Sequence, residues 1–281
     1  MDTIWITVAV LGVTGIIAAV VLWFVARKFY VYEDPRIGEV EALLPGANCG
    51  SCGQSGCHAF ATACVNASSL SGLSCPVGGD KTMQGIASLL GLEAGETIRR
   101  AAVVRCSAGC SSREKRVTYD GVRSCAIEAA TCSGERDCPH GCLGCGDCTR
   151  ACPYGVITMD PATSMPTVDF DRCVGCGLCT KSCPRGIIEL QQYSPGKALV
   201  WVTCVNRDKG PVAMKECDSS CIGCTKCKRV CPSGAVTIDS FLSHIDASRC
   251  IGCGLCIEAC PRKCITAHGT VDPSVIPSQN S

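Results

Sequence analysis

Four runs of closely spaced cysteines constrain this chain more than any other feature. Cys142, Cys145, Cys148 and Cys152 lead into Pro153, and Cys173, Cys176, Cys179 and Cys183 into Pro184. Cys221, Cys224, Cys227 and Cys231 lead into Pro232, and Cys250, Cys253, Cys256 and Cys260 into Pro261. Each run reads C-x2-C-x2-C-x3-C-P, the spacing by which two runs hold two [4Fe–4S] clusters, the fourth cysteine of each ligating the other run's cluster. This crossing assigns Cys142, Cys145, Cys148 and Cys183 to one cluster and Cys152, Cys173, Cys176 and Cys179 to its partner. The second pair of runs gives Cys221, Cys224, Cys227 and Cys260, then Cys231, Cys250, Cys253 and Cys256. Crossing brings paired clusters close together, and short gaps permit fast electron hopping.

Twenty-nine of the 281 residues are cysteine, above the fraction that marks a disulfide scaffold in a short secreted chain. The count alone does not separate disulfides, zinc and iron–sulfur clusters, so spacing and compartment decide, and both point to metal. Aromatic residues are only 5%, which leaves an ordinary apolar core thin and makes metal binding part of the folding energy. The apo form is therefore expected to be largely unfolded outside its amino-terminal helix. The formal charge of +1 counts every cysteine as neutral; at about −2 per cluster, five clusters bring the loaded protein to roughly −9.

Ile4 to Ala26 carries no charge over 23 residues, and at 1.5 Å per residue a helix of that length spans about 34 Å, enough for a bilayer. Asp2 precedes the segment, and Arg27 and Lys28 follow it. A cleaved signal peptide would want a basic start and a shorter apolar run. The positive-inside rule places the amino terminus outside and everything after Lys28 in the cytoplasm, where thiols stay reduced and free to bind metal.

A fifth cysteine set follows the anchor. Cys49, Cys52 and Cys57 stand within nine residues interleaved with Gly50, Gly53 and Gly56, and Cys75 supplies a distant fourth ligand. Zinc sites usually present two separated pairs of close cysteines, so three ligands in one loop favour a cluster. Cys64, in a helix-compatible stretch, reads as a small buried hydrophobe. From Thr82 to Val104 the spacing of Ile86, Leu89, Leu90 and Ile98, punctuated by Gly91 and Gly95, predicts one or two short helices. Cys106, Cys110, Cys125 and Cys132 match no iron–sulfur or zinc spacing and are either a further metal set or buried thiols.

Val156 to Met159 reads as a short strand, Pro166 to Asp169 leads back to the second loop, and Ile187 to Leu190 closes the unit as a matching strand. The pattern recurs at Ala235 to Ile238 and Cys264 to Thr266. Cys138 precedes Cys142 by four residues just as Cys217 precedes Cys221, and Val104-Arg105-Cys106 matches Val202-Thr203-Cys204, so duplication is the simplest account. Cys138 is also an alternative ligand to Cys145 in the first cluster. The C-x3-C-x2-C that Cys138 and Cys217 create is also a radical-SAM loop, but that chemistry needs a barrel for which this chain has no room. Lys226, Lys228, Arg229, Arg262 and Lys263 crowd the second module's loops, either as a solvated rim or as a docking face for an acidic soluble ferredoxin.

The anchor, then LLPGANCGSCGQSGC with CPVGG, then GCLGCGDCTRACPYG and tandem ferredoxin motifs, together resemble the B-subunit family of Rnf-type ion-translocating electron-transport complexes. The likeness runs to about residue 266, and the anchor with the first cysteine set is its most specific part. Members with two modules also carry thiols placed like Cys106, Cys125, Cys138, Cys204 and Cys217, and their first module typically lacks a cysteine at the position of Cys145. The resemblance implies an α+β chain: an anchor over 1–30, a small 4Fe-4S domain over 31–95, a cysteine-containing linker over 96–136, ferredoxin-like modules over 137–200 and 201–270, and a tail over 271–281. It implies a single-pass protein of the inner (cytoplasmic) membrane holding five [4Fe–4S] clusters, with thiols for a sixth. Such a protein accepts electrons from soluble ferredoxin and passes them to membrane and flavin- or NAD-binding partners, with no nucleic acid involved. Nothing here binds nicotinamide by itself, since no G-x-G-x-x-G follows a strand, and one helix without an intramembrane charge forms no ion path. An iron–sulfur subunit of a hydrogenase or formate dehydrogenase would share the ferredoxin runs but lack the Cys49–Cys75 set. A zinc-binding interaction protein is the reading from another class.

Overall fold

The computed structural model describes residues 2–28, 33–93, 99–108, 116–132, 134–194 and 196–275. Gly95, Ile98, Cys110 and the last part of the tail lie outside the described residues.

The uninterrupted apolar run forms helix α1 (Asp2–Lys28). Its Ile4–Val25 stretch has mean hydropathy 2.6, and no other described part of the chain buries it. Thr14 returns its hydroxyl to the carbonyls of Val10 and Leu11, as a polar side chain must in an apolar helix.

Three helices then build a small unit: α2 (Pro35–Leu43), α3 (Cys57–Asn66) and α4 (Gly79–Leu90). Asp34 accepts the Arg36 amide with Pro35 opening α2, and Asn48 accepts the Cys57 amide at 2.8 Å to start α3. Gly91, in the left-handed region at φ +66°, ends α4. These helices bury Val40, Phe60, Leu70, Met83 and Ile86. Cys64 is fully buried among them, the small hydrophobe expected, and burial pushes its thiol up to about 11. The helical expectation for 82–104 is met by α4 as far as Leu90, Ile98 lies outside the described residues, and Arg100–Val104 is a strand, β1.

The remaining chain consists of two copies of one plan. The first contains β1, α5 (Cys125–Thr131), α6 (Asp147–Arg150), β2 (Ile157–Met159), β3 (Pro166–Val168), α7 (Leu178–Ser182) and β4 (Ile188–Gln192). The second contains β5 (Leu199–Val202), α8 (Gly210–Glu216), α9 (Lys226–Arg229), β6 (Val236–Asp239), β7 (Leu242–Ile245), α10 (Leu255–Glu258) and β8 (Ile265–His268). In each, an inner hairpin pairs β2 with β3 or β6 with β7, and an outer antiparallel pair joins β1 to β4 or β5 to β8. The closing strand therefore pairs with the lead-in strand and not with the inner hairpin.

This pairing alters the expected linker, 96–136. β1 lies inside it yet matches β4 along its whole length, from Arg100 opposite Gln192 to Val104 opposite Ile188, so this stretch opens the first module. Without β1, β4 would leave a row of backbone groups unpaired. The expected boundary after residue 200 likewise falls within β5, all four residues of which are buried. Successive side chains of a strand point to opposite faces. Leu199 and Trp201 accordingly enter the first module's core, and Val200 and Val202 the second's. The Trp201 indole donates to the Val104 carbonyl at 3.1 Å, and Phe170 stacks on His268 with centroids 4.3 Å apart. Arg105 adds an ion pair to Glu189 at 3.0 Å and a hydrogen bond to the Cys204 carbonyl at 3.2 Å. The two modules are thus packed along a shared strand.

Candidate metal centres

Cys49, Cys52, Cys57 and Cys75 line one cavity, of about 320 Å³ with its solvent-open part included, beneath Phe60 and Val77. The loop wraps this space because Gly50 and Gly53 take φ +72° and +82°, a region glycine enters without cost. The Gly78 amide donates to the Cys75 sulfur at 3.3 Å. All four thiols of the first set expected from the sequence therefore converge.

In the first module a cavity of about 380 Å³ is lined by Cys142, Cys148 and Cys183, with Cys125 as the fourth thiol. Cys145 does not line it. Its thiol donates to the carboxylate of Glu128, 2.9 Å away and buried, and burial together with that carboxylate holds the Cys145 thiol well above the ordinary range. Cys125 reaches the cavity from the first turn of α5, which Asp147 positions by accepting the Ser124 hydroxyl at 3.0 Å and the Ala126 amide at 3.1 Å. Burial opposes charge on Asp147, but those amides and the hydroxyl outweigh it and hold the carboxyl below its usual range. Cys138, the alternative ligand that the sequence offers, lines a different cavity with Cys106, Cys204 and Cys217. The thiols on this cavity therefore include neither Cys145 nor Cys138 but Cys125, 17 residues before Cys142. Cys132 lies at the end of α5, its thiol 3.6 Å from the Glu128 carbonyl.

The thiols of the other three sets also lie near one another, with Cys148 close to Cys179 and Cys227 close to Cys256 across the set boundaries. Cys179 lies within electrostatic reach of Cys173, Cys176 and Cys152, and burial pushes its thiol up to about 12. Cys256 faces Cys250, Cys231 and Cys253 and is likewise pushed up to about 12 by burial. Cys221 neighbours Cys260, and Cys227 neighbours Cys221 and Cys224. Cys264 is an addition: it occupies the position of Ile187 in the first copy, with its sulfur 3.6 Å from that of Cys260. Its thiol also bonds Cys221, and this donation lowers the Cys221 thiol. Aligning the two copies in the sequence would have exposed it.

These donor sets suit a cubane. They are thiols throughout, buried or half-buried, and backbone amides donate to sulfur at Cys75 and Cys250. Among the described residues no three Cys, His, Asp or Glu side chains converge tightly enough to hold a single metal ion. A cubane takes one thiolate at each of its four irons and so needs a wider set than zinc does.

Crossed four-thiol sets on duplicated two-sheet modules, beside a separate four-thiol loop, define an iron–sulfur electron-transfer protein. A 4Fe-4S dicluster domain model matches residues 141–187 and 220–264, a second dicluster model matches 172–235, and an Fe-S cluster model matches 44–72. The B subunit of the Na(+)-translocating ferredoxin:NAD(+) oxidoreductase complex of Acetobacterium woodii is 37% identical over 95% of this chain and 78% of its own length. The B subunit of the proton-translocating ferredoxin:NAD(+) oxidoreductase complex of Clostridium ljungdahlii is 36% identical over 88% and 86%. The B subunit of the ion-translocating oxidoreductase complex of Methanosarcina acetivorans is 38% identical over 86% and 90%. The chain belongs to the B-subunit family of the ion-translocating oxidoreductase, or Rnf, complexes.

Proposed function

We propose that this subunit takes electrons from reduced ferredoxin and relays them to membrane partners of a complex that drives Na+ or H+ translocation, with NAD as the final acceptor. One observation carries the reading: the Cys49 set sits directly against the loop of the first module's second set. Lys181, on α7 beside the first module's second set, donates to the Cys49 carbonyl at 3.2 Å, and Ser51 donates to the Gly175 carbonyl at 3.2 Å. The Tyr154 phenol is near thiols of both sets; burial raises its pKa, and Cys176, Cys49 and Cys75 raise it further. Each bound [4Fe–4S] cluster supplies one-electron chemistry.

The ligand sets assigned on this basis are Cys49, Cys52, Cys57 and Cys75; Cys125, Cys142, Cys148 and Cys183; Cys152, Cys173, Cys176 and Cys179; Cys221, Cys224, Cys227 and Cys260; and Cys231, Cys250, Cys253 and Cys256. The protein fixes these thiols on short helices and loops, excludes water with Phe60, Ile157, Ile187 and Val236, and aims amides at sulfur. Helix α1 crosses the membrane once, and Arg27 and Lys28 keep the remainder on the cytoplasmic side. No Asp, Glu, Lys or Arg falls between Ile4 and Val25, so ion movement and nicotinamide chemistry belong to partner subunits that carry the flavin and NAD sites. The donor docks at Lys226, Lys228 and Arg229, all exposed on α9. Arg262 is not part of that face, since it is half-buried and donates to the Cys217 carbonyl at 3.0 Å.

Mixing reduced ferredoxin with the anaerobically purified protein should bleach its visible absorbance. Bleaching by dithionite but not by ferredoxin would overturn the assignment of the donor.

A further inference from the structure

The two modules build the same frame around their first thiol sets, and two buried positions on that frame differ in chemistry. The turns that close the second run of each module are alike: the Gly186 amide donates to the Cys183 carbonyl and the Lys263 amide to the Cys260 carbonyl, each at 3.2 Å. One residue further on, the Ile187 carbonyl accepts from the Arg105 amide at 2.7 Å and the Cys264 carbonyl from the Thr203 amide at 2.8 Å, so Ile187 and Cys264 are equivalent. The inner hairpins correspond as well. Ile157 and Val236 each stand 15 residues after the first cysteine of their run. Two places along the strand, Met159 is paired with Pro166 and Ile238 with Ser243, which makes Pro166 and Ser243 equivalent.

In the first module both positions are apolar, and Pro166 and Ile187 line the cavity of the Cys142 set. In the second module both carry donors. Ser243 is 1% exposed, and its hydroxyl lies 3.3 Å from the Cys227 sulfur. Its amide donates to the Cys221 sulfur, which the imide nitrogen of a proline cannot do. Cys264 is 2% exposed, with its sulfur 3.6 Å from that of Cys260, and its thiol also bonds Cys221. Once Cys221, Cys227 and Cys260 serve as thiolates they only accept, so Ser243 and Cys264 must donate. Packing does not call for a thiol here: the residue four places after the last cysteine is Val156 or Ala235 in the other two runs, and both are buried.

We propose that Ser243 and Cys264 raise the reduction potential of the cluster held by Cys221, Cys224, Cys227 and Cys260. This rests on the reading that the set holds a [4Fe–4S] cluster. Hydrogen bonds to the sulfurs are among the features that set a cluster's potential. Reduction by one electron, delivered from ferredoxin, adds negative charge to the thiolate cage, and donors already aimed at those sulfurs stabilise it. The Cys142 set, lined by Pro166 and Ile187, has no such pair, so two modules built on one plan are made electrically unequal.

The test is an EPR-monitored redox titration of the full-length protein purified anaerobically, with iron and acid-labile sulfide counted on the same samples. The variants are Ser243→Ala, Cys264→Ile, which installs the first module's residue, and Cys264→Ser, which keeps a donor. Ser243→Ala and Cys264→Ile should lower the same single midpoint, reducing that cluster's reduced-to-oxidised ratio at a fixed potential by about three- to tenfold, or about 30–60 mV. The other midpoints and the iron count should stay at wild-type values, and Cys264→Ser should keep the wild-type midpoint. If Cys264→Ile does not hold its clusters, Cys264→Ala takes its place. Midpoints unmoved in both the Ser243 and the Cys264 variants overturn the proposal. A loss of about four iron in Cys264→Ser and Cys264→Ala alike makes Cys264 a ligand and overturns its role as a donor. Wild-type iron near zero overturns the underlying reading instead.

Discussion

Exchanging the roles of Cys125 and Cys145 is the sharpest local test of the first module. Cys125 lines the cavity with Cys142 and Cys148, while Cys145 donates to buried Glu128 at 2.9 Å. Cys125→Ala removes one thiolate of four. Iron should therefore fall by about one atom per chain if a three-iron form survives and by about four if the site empties. Cys145→Ala should leave iron and sulfide at the wild-type count. Its effect is on stability, because removing the donor strands a buried acceptor at a cost of about 1–3 kcal/mol, seen as a lower midpoint for thermal loss of the visible absorbance. The assay is iron and sulfide quantification on the two variants prepared side by side under anaerobic conditions. Iron lost in Cys145→Ala but retained in Cys125→Ala would refute the assignment.

Gly175 takes φ +65°, and a Cβ there would come within 2.6 Å of the Arg100 carbonyl oxygen; Gly175→Ala should push β1 from the cysteine loop, with a cost of about 1–3 kcal/mol from the backbone alone, read as faster iron loss to a chelator. Reversing charge at Lys226, Lys228 and Arg229 should slow reduction by ferredoxin several-fold at low salt and flatten its salt dependence; an unchanged rate and salt response would remove that face as the docking site. His58, 2.8 Å from Glu41, has its pKa raised first by that hydrogen bond and then by the carboxylate's charge. The link between α3 and α2 is then fully present below the imidazole's ordinary pKa and lost as pH rises through the raised value. An NMR titration of His58 should give a midpoint above 6.5, and Glu41→Gln should bring it back down.

Where ligand positions are encoded by local spacing, the spacing is sufficient. The thiols of the Cys49–Cys75 loop and of the sets built on Cys173, Cys221 and Cys250 lie close together, because three of each share one loop and the fourth follows α3 or belongs to the paired run. Cys145 keeps the spacing yet stands off the cavity, its thiol bonded to Glu128, while α5 brings Cys125 to the lining from outside the run. No interval reveals that exchange. β1 reads as linker in the sequence because Ala101, Ala102 and Val103 are small and all buried, leaving no alternation to mark a strand. No interval groups the thiols at 106, 138, 204 and 217, because they line one cavity only where the two modules meet, and tertiary packing of that kind leaves no local signature.

The central claim is that the thiol sets hold a closely spaced series of iron–sulfur clusters. EPR of the fully reduced, anaerobically purified full-length protein tests it most directly, with metal analysis on the same sample. The account predicts a brown protein with several S = 1/2 centres whose lines are broadened by coupling between neighbours. A colourless, zinc-loaded protein without reducible spins would contradict it.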